Sequence, residues 1–498
     1  VRKLLPTYQE IKAIDAAISL LNWDRQLLMP PGGAESRTRT LTALTKIRHE
    51  KFNSAQLRQE AEDLAATAKD VTEARMAAVL IEDIDREAKI PVELAQRHAR
   101  VSSVAYDTWR QARAESNFAL IAPHYRELIL IAQELADAVA ISDHPYDSLL
   151  DGYEPGATVD DIDRMFAAIK QPLIALRAEQ LDHASSHSGP ASVPHDPERL
   201  RRVAEAIATH IGFQFNRGRL DIGANAFCSS TVATDVRMVA RPNAHVRGVL
   251  SSALHEMGHG LYEQNIDPAL AHTPLHGGVS LAIHESQSRL WENLVGRHPA
   301  FWREFYPELC REIPDFSGMT PDQFTHEYAG VSRSPIRVGS DELSYNLHIL
   351  VRYELEIAML TGKLEMDDLP AAWNERYQKY LGITPANDGE GVLQDVHWCR
   401  GSFGYFPTYA MGNIIGGQLW DKMTEDIDLN SLIGAKNFAP ILAWLTEHVY
   451  RHGRTLSSRD LITGVCGDYL DPQPWLAYVT DRFRNGYAQT RTLELQAA

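Results

Sequence analysis

The sequence predicts an all-α, mainly helical fold with a small β insert. Three observations carry this. Apolar side chains recur at helical spacing over residues 7–140 and again from 244 to the end. Between them, "GFQFNRGRLDIGANAFCSSTVATDVRMVARPN" (212–243) is poor in helix formers and rich in Gly, Ser, Thr and Asn. No flexible linker or internal repeat divides the 498 residues, so 1–498 reads as one domain.

Each element follows from local pattern. "YQEIKAIDAAISLLNWD" places Ile11, Ile14, Ile18 and Leu21 on one helical stripe. "MPPGGAESR" interrupts with two prolines and two glycines, and a second helix is expected from about Ala34. Residues 55–140 are rich in Ala, Glu, Arg and Leu, with Pro91 and Pro123 as expected helix boundaries. "SSHSGPASVPHDPER" (185–199) reads as a loop before another helix. In the insert, alternation in "VRMVAR" predicts one or two short strands.

Composition narrows the function classes. The chain is 44% hydrophobic and 23% charged, with net charge −17. It has no basic stripe, which argues against a nucleic-acid partner. No stretch of roughly 18 apolar residues predicts a membrane span. The N-terminal stretch has acids and Lys12 where a signal peptide needs an unbroken apolar core, so no secretion signal is expected there. Cys228, Cys310, Cys399 and Cys466 are far apart, which fits a reduced cytoplasmic protein and argues against a cysteine zinc site.

The chemistry concentrates in "ALHEMGHGLY" (253–262). A helix is expected from about Ala244 to Glu263, with Val246, Leu250, Leu254, Met257 and Leu261 as its buried stripe. His255 and His259 are four apart, hence about 40° apart around the axis, and can reach one metal ion. Glu256 lies about 100° round from His255, beside a water at that metal. Solvated histidines on a polar face would be the alternative. Against that, two histidines in an apolar, glycine-flanked helix need partners.

A catalytic zinc site needs a third protein ligand. A third histidine at the end of the motif is excluded, because Tyr262 and Asn265 occupy the required glycine and histidine positions. The other scheme takes a glutamate from a following helix. "NIDPALAHTPLHGGVS" supplies a connection, and "LAIHESQSRLWENLVGRH" reads as a helix with Leu281, Leu290 and Leu294 on its apolar side. Spacing brings Glu285 back in a helical hairpin and leaves His284 and Glu292 as competitors. The position where an orienting aspartate would follow the glutamate ligand is Arg289, so that carboxylate must come from elsewhere. Zn²⁺ is the expected metal, and Co²⁺ or Mn²⁺ could fill such a site.

Several stretches together resemble the carboxypeptidase Taq family of metallocarboxypeptidases. They are "LNWDRQLLMPPGG" near the N-terminus, "HEMGHGLYEQN" at 255, "HESQSRLWENLVG" at 284, "IRVGSDELSYNLHILVRYELE" at 336 and "GVLQDVHWCRGSFGYFPTYAMGN" at 391. The resemblance implies His255, His259 and Glu285 as metal ligands and Glu256 as catalytic base. It also implies a saddle-like or clam-shell helical fold with a deep cleft, a homodimer, and removal of single residues from peptide C-termini with broad specificity. The chain departs from the family's motifs. His-Pro-Phe appears as Asn225, Ala226 and Phe227. Asp-x-Arg-x-Thr keeps Asp235 and Arg237 but has Val239. Ile-Arg-x-x-Ala-Asp has Ser340 for Ala.

Mechanistic roles follow. Glu256 can take a proton from the attacking water and pass it to the leaving amine. His397, Tyr405 and Tyr409, in a stretch dense in Gly and aromatics, are candidate donors to the oxyanion and substrate. Arg337 precedes a helix opening near Asp341, on which Tyr345, His348 and Arg352 recur at helical spacing. An arginine near a helix start is more often solvated, but the resemblance favours Arg337 as the reader of the C-terminal carboxylate, with Arg237 and Arg400 as rivals. Asp235 and Arg237 are expected near substrate. A zinc endo- or oligopeptidase, or a non-catalytic metal- or peptide-binding homologue, are the other readings.

Overall fold

Helices fill most of the computed structural model, which describes residues 5–182, 194–241 and 246–486. One connected apolar core runs from Leu5 to Phe483. The first helix, Pro6–Leu27, and the second, Ala34–Phe52, fold back on each other across Pro31–Gly33. Ile11 is buried, but Ile14, Ile18 and Leu21 are only half-buried, and the second helix buries Phe52 alone. This hairpin therefore packs mainly on itself. Pro91 caps the helix Val92–Glu115, and Pro123 stands in the first turn of Ala122–Val139, where its missing N–H costs nothing. The helix after the 185–199 loop is Pro197–Ile211, started by the Asp196 carboxylate. Most of that loop lies outside the described residues.

The insert holds three strands rather than one or two: β1 (Gly218–Ile222), β2 (Phe227–Ser230) and β3 (Val236–Ala240). β3 is central, parallel to β1 and antiparallel to β2. β1 also alternates from Arg219 to Ile222, but only over four residues between glycines, and β2 (FCSS) carries no apolar alternation at all. The sheet packs on the helix Val246–Gln264. The expected start of that helix at Ala244 lies outside the described residues. Its stripe of Val246, Leu250, Leu254, Met257 and Leu261 is fully buried, as expected.

A loop leads from Gln264 to the helix Leu281–Arg289, which widens into a π turn over Leu290–Val295. Leu290 and Leu294 are buried, but Leu281, in the first turn, is 37% exposed. Leu281 alone turns away from the core there, since its neighbours Ala282 and Ile283 are fully buried. Two glycines let the helices close up. A Cβ on Gly258 would stand 2.5 Å from the Gln287 carbonyl oxygen, and one on Gly412 would stand 2.6 Å from Glu285 Cγ. The histidine helix and the helix Pro407–Asp426 thereby clasp the glutamate helix from two sides.

Candidate metal centre

Local sequence sets the two helices that meet here. Ser280 caps Leu281–Arg289 by accepting from the Ile283 N–H at 3.2 Å. The buried Glu154 carboxylate accepts the Ala282 N–H at 3.0 Å. Tyr262 stacks on Tyr450 at 5.0 Å, and Asn265 donates to the Leu261 carbonyl at 2.7 Å, so neither is turned to a metal.

His255, His259 and Glu285 converge, with ligand atoms all within 4.8 Å of one another. Nε2 of His255 and of His259 lie 3.5 and 3.6 Å from the same Glu285 oxygen, Oε2. Both imidazoles thus aim Nε2 at one point and turn Nδ1 away from it. Two nitrogens and one carboxylate oxygen suit a divalent cation of the zinc type. The residues present fit the group that the motif implies.

The competitors of Glu285 stand one layer out. Glu292 Oε2 meets His255 Nδ1 at 3.0 Å and is the orienting carboxylate that spacing alone left unnamed. It lies seven residues after Glu285 and so returns to the same helix face, which is the signal that could have found it. His284 Nδ1 meets His259 Nδ1 at 2.6 Å, and its Nε2 meets Glu263 Oε1 at 2.8 Å. Glu263 is four residues after His259 and shares its helix face. Arg289 donates to Glu285 Oε1 at 2.7 Å and to Glu292 Oε2 at 3.2 Å, holding both acids charged.

The charges follow from these contacts. Burial pushes the Glu256 carboxyl up to about 7, only partly opposed by His255, which suits a general base near neutral pH. Burial would raise Glu285 too, but Arg289 and His255 hold it far below the carboxylate range. Burial also opposes ionisation of Glu292, yet Arg289 and His255 bring it to about 2. Burial lowers His259 to about 4, keeping it in the neutral form a metal requires.

His255 and Glu256 open on a cavity of about 440 Å³, whose walls also carry Arg337 and Tyr409. Arg337 is buried and fixed. Nε and Nη2 donate to Asp395 Oδ1 at 3.0 and 2.7 Å, and Nη1 donates to Tyr345 at 2.8 Å. Asp395 also binds Arg352 Nε at 2.7 Å. As expected, Asp341 caps the helix Glu342–Leu360, which carries Tyr345, His348 and Arg352. His397 and Tyr405 sit beside Tyr409. His397 Nε2 lies 3.1 Å from the Tyr409 hydroxyl, and its ring centroid lies 5.3 Å from that of Tyr405. Burial lowers His397 to about 3, so it is neutral.

Other expected residues stand apart from this cavity. Arg237 pairs with its neighbour Asp235 at 2.8 Å and lies over the Trp23 ring at 4.5 Å. Arg400 is exposed and lies over Tyr106. Among the motif departures, Ala226 and Ser340 line the cavity. Asn225 is exposed, and Val239 is buried at the centre of the sheet. Arg241, Arg247 and Arg297 line the cavity without having been singled out by sequence. Lone arginines carry no local signal of a cleft.

Comparison with known proteins agrees with this geometry. Residues 3–483 match the family described as carboxypeptidase Taq (M32) metallopeptidase. Carboxypeptidase 1 of Bacillus subtilis is 34% identical over 486 residues, covering 96% of this chain and 97% of the relative. Thermostable carboxypeptidase 1 of Thermus thermophilus is 34% identical over 504 residues, covering 97% and 98%. The structure of the Pyrococcus furiosus carboxypeptidase superposes with a TM-score of 0.93 at 33% identity, covering 96% of this chain and 98% of that one. The M32 carboxypeptidase of Deinococcus radiodurans gives 0.93 at 32% identity, with the same coverage. The chain belongs to the carboxypeptidase Taq (M32) family and is a metallocarboxypeptidase.

Proposed function

We propose that the protein removes single residues of broad character from the free C-termini of peptides, using a zinc ion held by His255, His259 and Glu285. The observation that carries this reading is the shared cavity. The face bearing His255 and Glu256 looks onto a wall that includes Arg241, Arg247, Arg297 and Arg337. A C-terminal carboxylate fits against such guanidinium groups.

When bound, the metal supplies Lewis acidity that acidifies a water and polarises the scissile carbonyl. Glu256 takes the proton of the attacking water and returns it to the departing amine, a task matched to a carboxyl lifted to about 7. Arg337 spends three of its five N–H groups on Asp395 and Tyr345, leaving two for a carboxylate. Tyr409, on the same wall, can donate to the developing oxyanion, with His397 and Tyr405 fixing its ring.

The reading extends to location and assembly. Cys228, Cys310, Cys399 and Cys466 are all unpaired, which supports a reducing, cytoplasmic setting. No helix among the described residues is long and apolar enough to cross a membrane. Homodimeric assembly rests on the family resemblance, and sedimentation at micromolar concentration tests it.

Matched peptides with free and amidated C-termini test the cut site. Loss of a buried charge pair costs about 2–5 kcal/mol, so the amide should be cut at least about 30-fold more slowly. Equal rates on both peptides would refute the carboxypeptidase assignment and favour an endopeptidase.

A further inference from the structure

The two histidines are supported in different ways. His255 Nδ1 meets a carboxylate directly, Glu292 at 3.0 Å. His259 Nδ1 meets another imidazole nitrogen, His284 Nδ1, at 2.6 Å. Two ring nitrogens at that distance must share one proton between them. His284 Nε2 lies 2.8 Å from Glu263 Oε1, and Glu263 Oε2 accepts from the Ser230 hydroxyl at 2.8 Å.

We propose that Glu263 and His284 are positioning residues that fix which nitrogen of His259 faces the metal. The inference rests on His259 being a metal ligand. An ionised carboxylate only accepts, so Glu263 places the His284 proton on Nε2. The neutral His284 ring then offers a bare Nδ1, which accepts the proton of His259 Nδ1. His259 is left with a bare Nε2, the atom aimed at Glu285 and the metal position. The opposite assignment puts the His284 proton on Nδ1. It leaves His284 Nε2 and Glu263 as two acceptors facing each other, and it puts the His259 proton on Nε2, where it blocks coordination.

The chain Ser230–Glu263–His284–His259 ties strand β2 to the metal site. The sheet insert, which departs most from the family motifs, thereby reaches the metal without supplying a ligand. Ring packing supports the same path. The His284 ring lies between His259, at 4.7 Å, and Tyr262, at 5.0 Å, so it has little freedom to turn.

The test is Zn²⁺ affinity, measured by competition with a chromophoric chelator, on the full chain and three variants. His284→Leu removes the acceptor and should weaken zinc binding about 10- to 100-fold. His284→Gln keeps the direction of the chain, because its amide N–H₂ faces Glu263 and its carbonyl faces His259. It should stay within about threefold of the parent. Glu263→Ala frees the His284 proton and should cost about tenfold, and it serves if the leucine variant does not fold. The melting temperature of each metal-free variant separates folding from positioning. Parent-like affinity in His284→Leu or Glu263→Ala overturns the inference. So does equal weakening of the Leu and Gln variants at unchanged metal-free stability. Absence of zinc binding by the parent is a different failure, that of the His255–His259–Glu285 assignment, and it removes this inference too.

Discussion

Gly258 sits in the histidine helix where it crosses the glutamate helix, and Gly258→Ala tests whether that crossing sets the metal site. A Cβ there would stand 2.5 Å from the Gln287 carbonyl oxygen and 2.6 Å from Ser288 Cα, both backbone atoms. Ordinary contact begins at 3.4 Å, so the two helices must part by about 0.9 Å. Glu285 is two residues from Gln287 and moves with it, whereas His255 and His259 flank Gly258 and stay. Ligand positions tolerate about 0.2 Å, so the displacement should weaken zinc binding by roughly 10- to 100-fold. Stability should also fall. Alanine gains about 1 kcal/mol in helix propensity, but overpacking costs about 1–3 kcal/mol. Gly464→Ala is the control, because Gly464 lies in the helix Ser458–Cys466 and a Cβ there meets nothing within 4 Å. Chelator competition and thermal unfolding of both variants read the two effects. A Gly258→Ala variant that binds zinc like the parent and melts higher, as Gly464→Ala should, would refute the close-crossing argument.

Three further outcomes are expected. Glu256→Gln should keep the metal, measured by elemental analysis, while peptide hydrolysis falls about 10²- to 10⁴-fold, and near-parent turnover would remove Glu256 as the base. Asp395→Asn should destabilise the fold by about 3–5 kcal/mol in denaturant unfolding, because Arg337 and Arg352 would keep buried charges without their shared partner, and a loss under 1 kcal/mol would contradict that view. Glu356 is fully buried, accepts from Tyr146, Trp398 and the Gly404 N–H, and is pushed up by burial from 4.5 to about 7. Its folded pKa exceeds its unfolded one, so the unfolded chain loses this proton first. Stability from this group is complete below about pH 4.5 and declines by about 3 kcal/mol as pH rises to about 7. Glu356→Gln should remove that slope, and a parent-to-variant stability difference that stays constant across the window would exclude the assignment.

The sequence by itself determined whatever depends on neighbours along the chain. Helical spacing put His255, Glu256 and His259 on adjoining faces of one helix, and it identified that helix's buried stripe. Pro91, Pro123 and Asp341 marked helix starts because each acts within a turn of its own position. Spacing also excluded Tyr262 and Asn265, but it left His284, Glu285 and Glu292 as rivals for the third ligand.

Spacing could not choose among those three, because the choice depends on how two helices cross at Gly258. The family resemblance favoured Glu285, and the tertiary structure showed what each of the three meets. All three have roles there: Glu285 meets both Nε2 atoms, Glu292 supports His255, and His284 supports His259. Arg337 was legible as a candidate, but its clamp by Asp395, 58 residues away, was not. One or two strands were expected where three form, because β2 (Phe227–Ser230) is short, half-buried and without alternation and so carries no period. Asp235 and Arg237 were expected near substrate, yet they pair with each other over Trp23, a partner supplied by a helix some two hundred residues earlier. Periodicity records which face of an element is buried, whereas partners across the core are fixed by packing between segments whose separation along the chain carries no repeat.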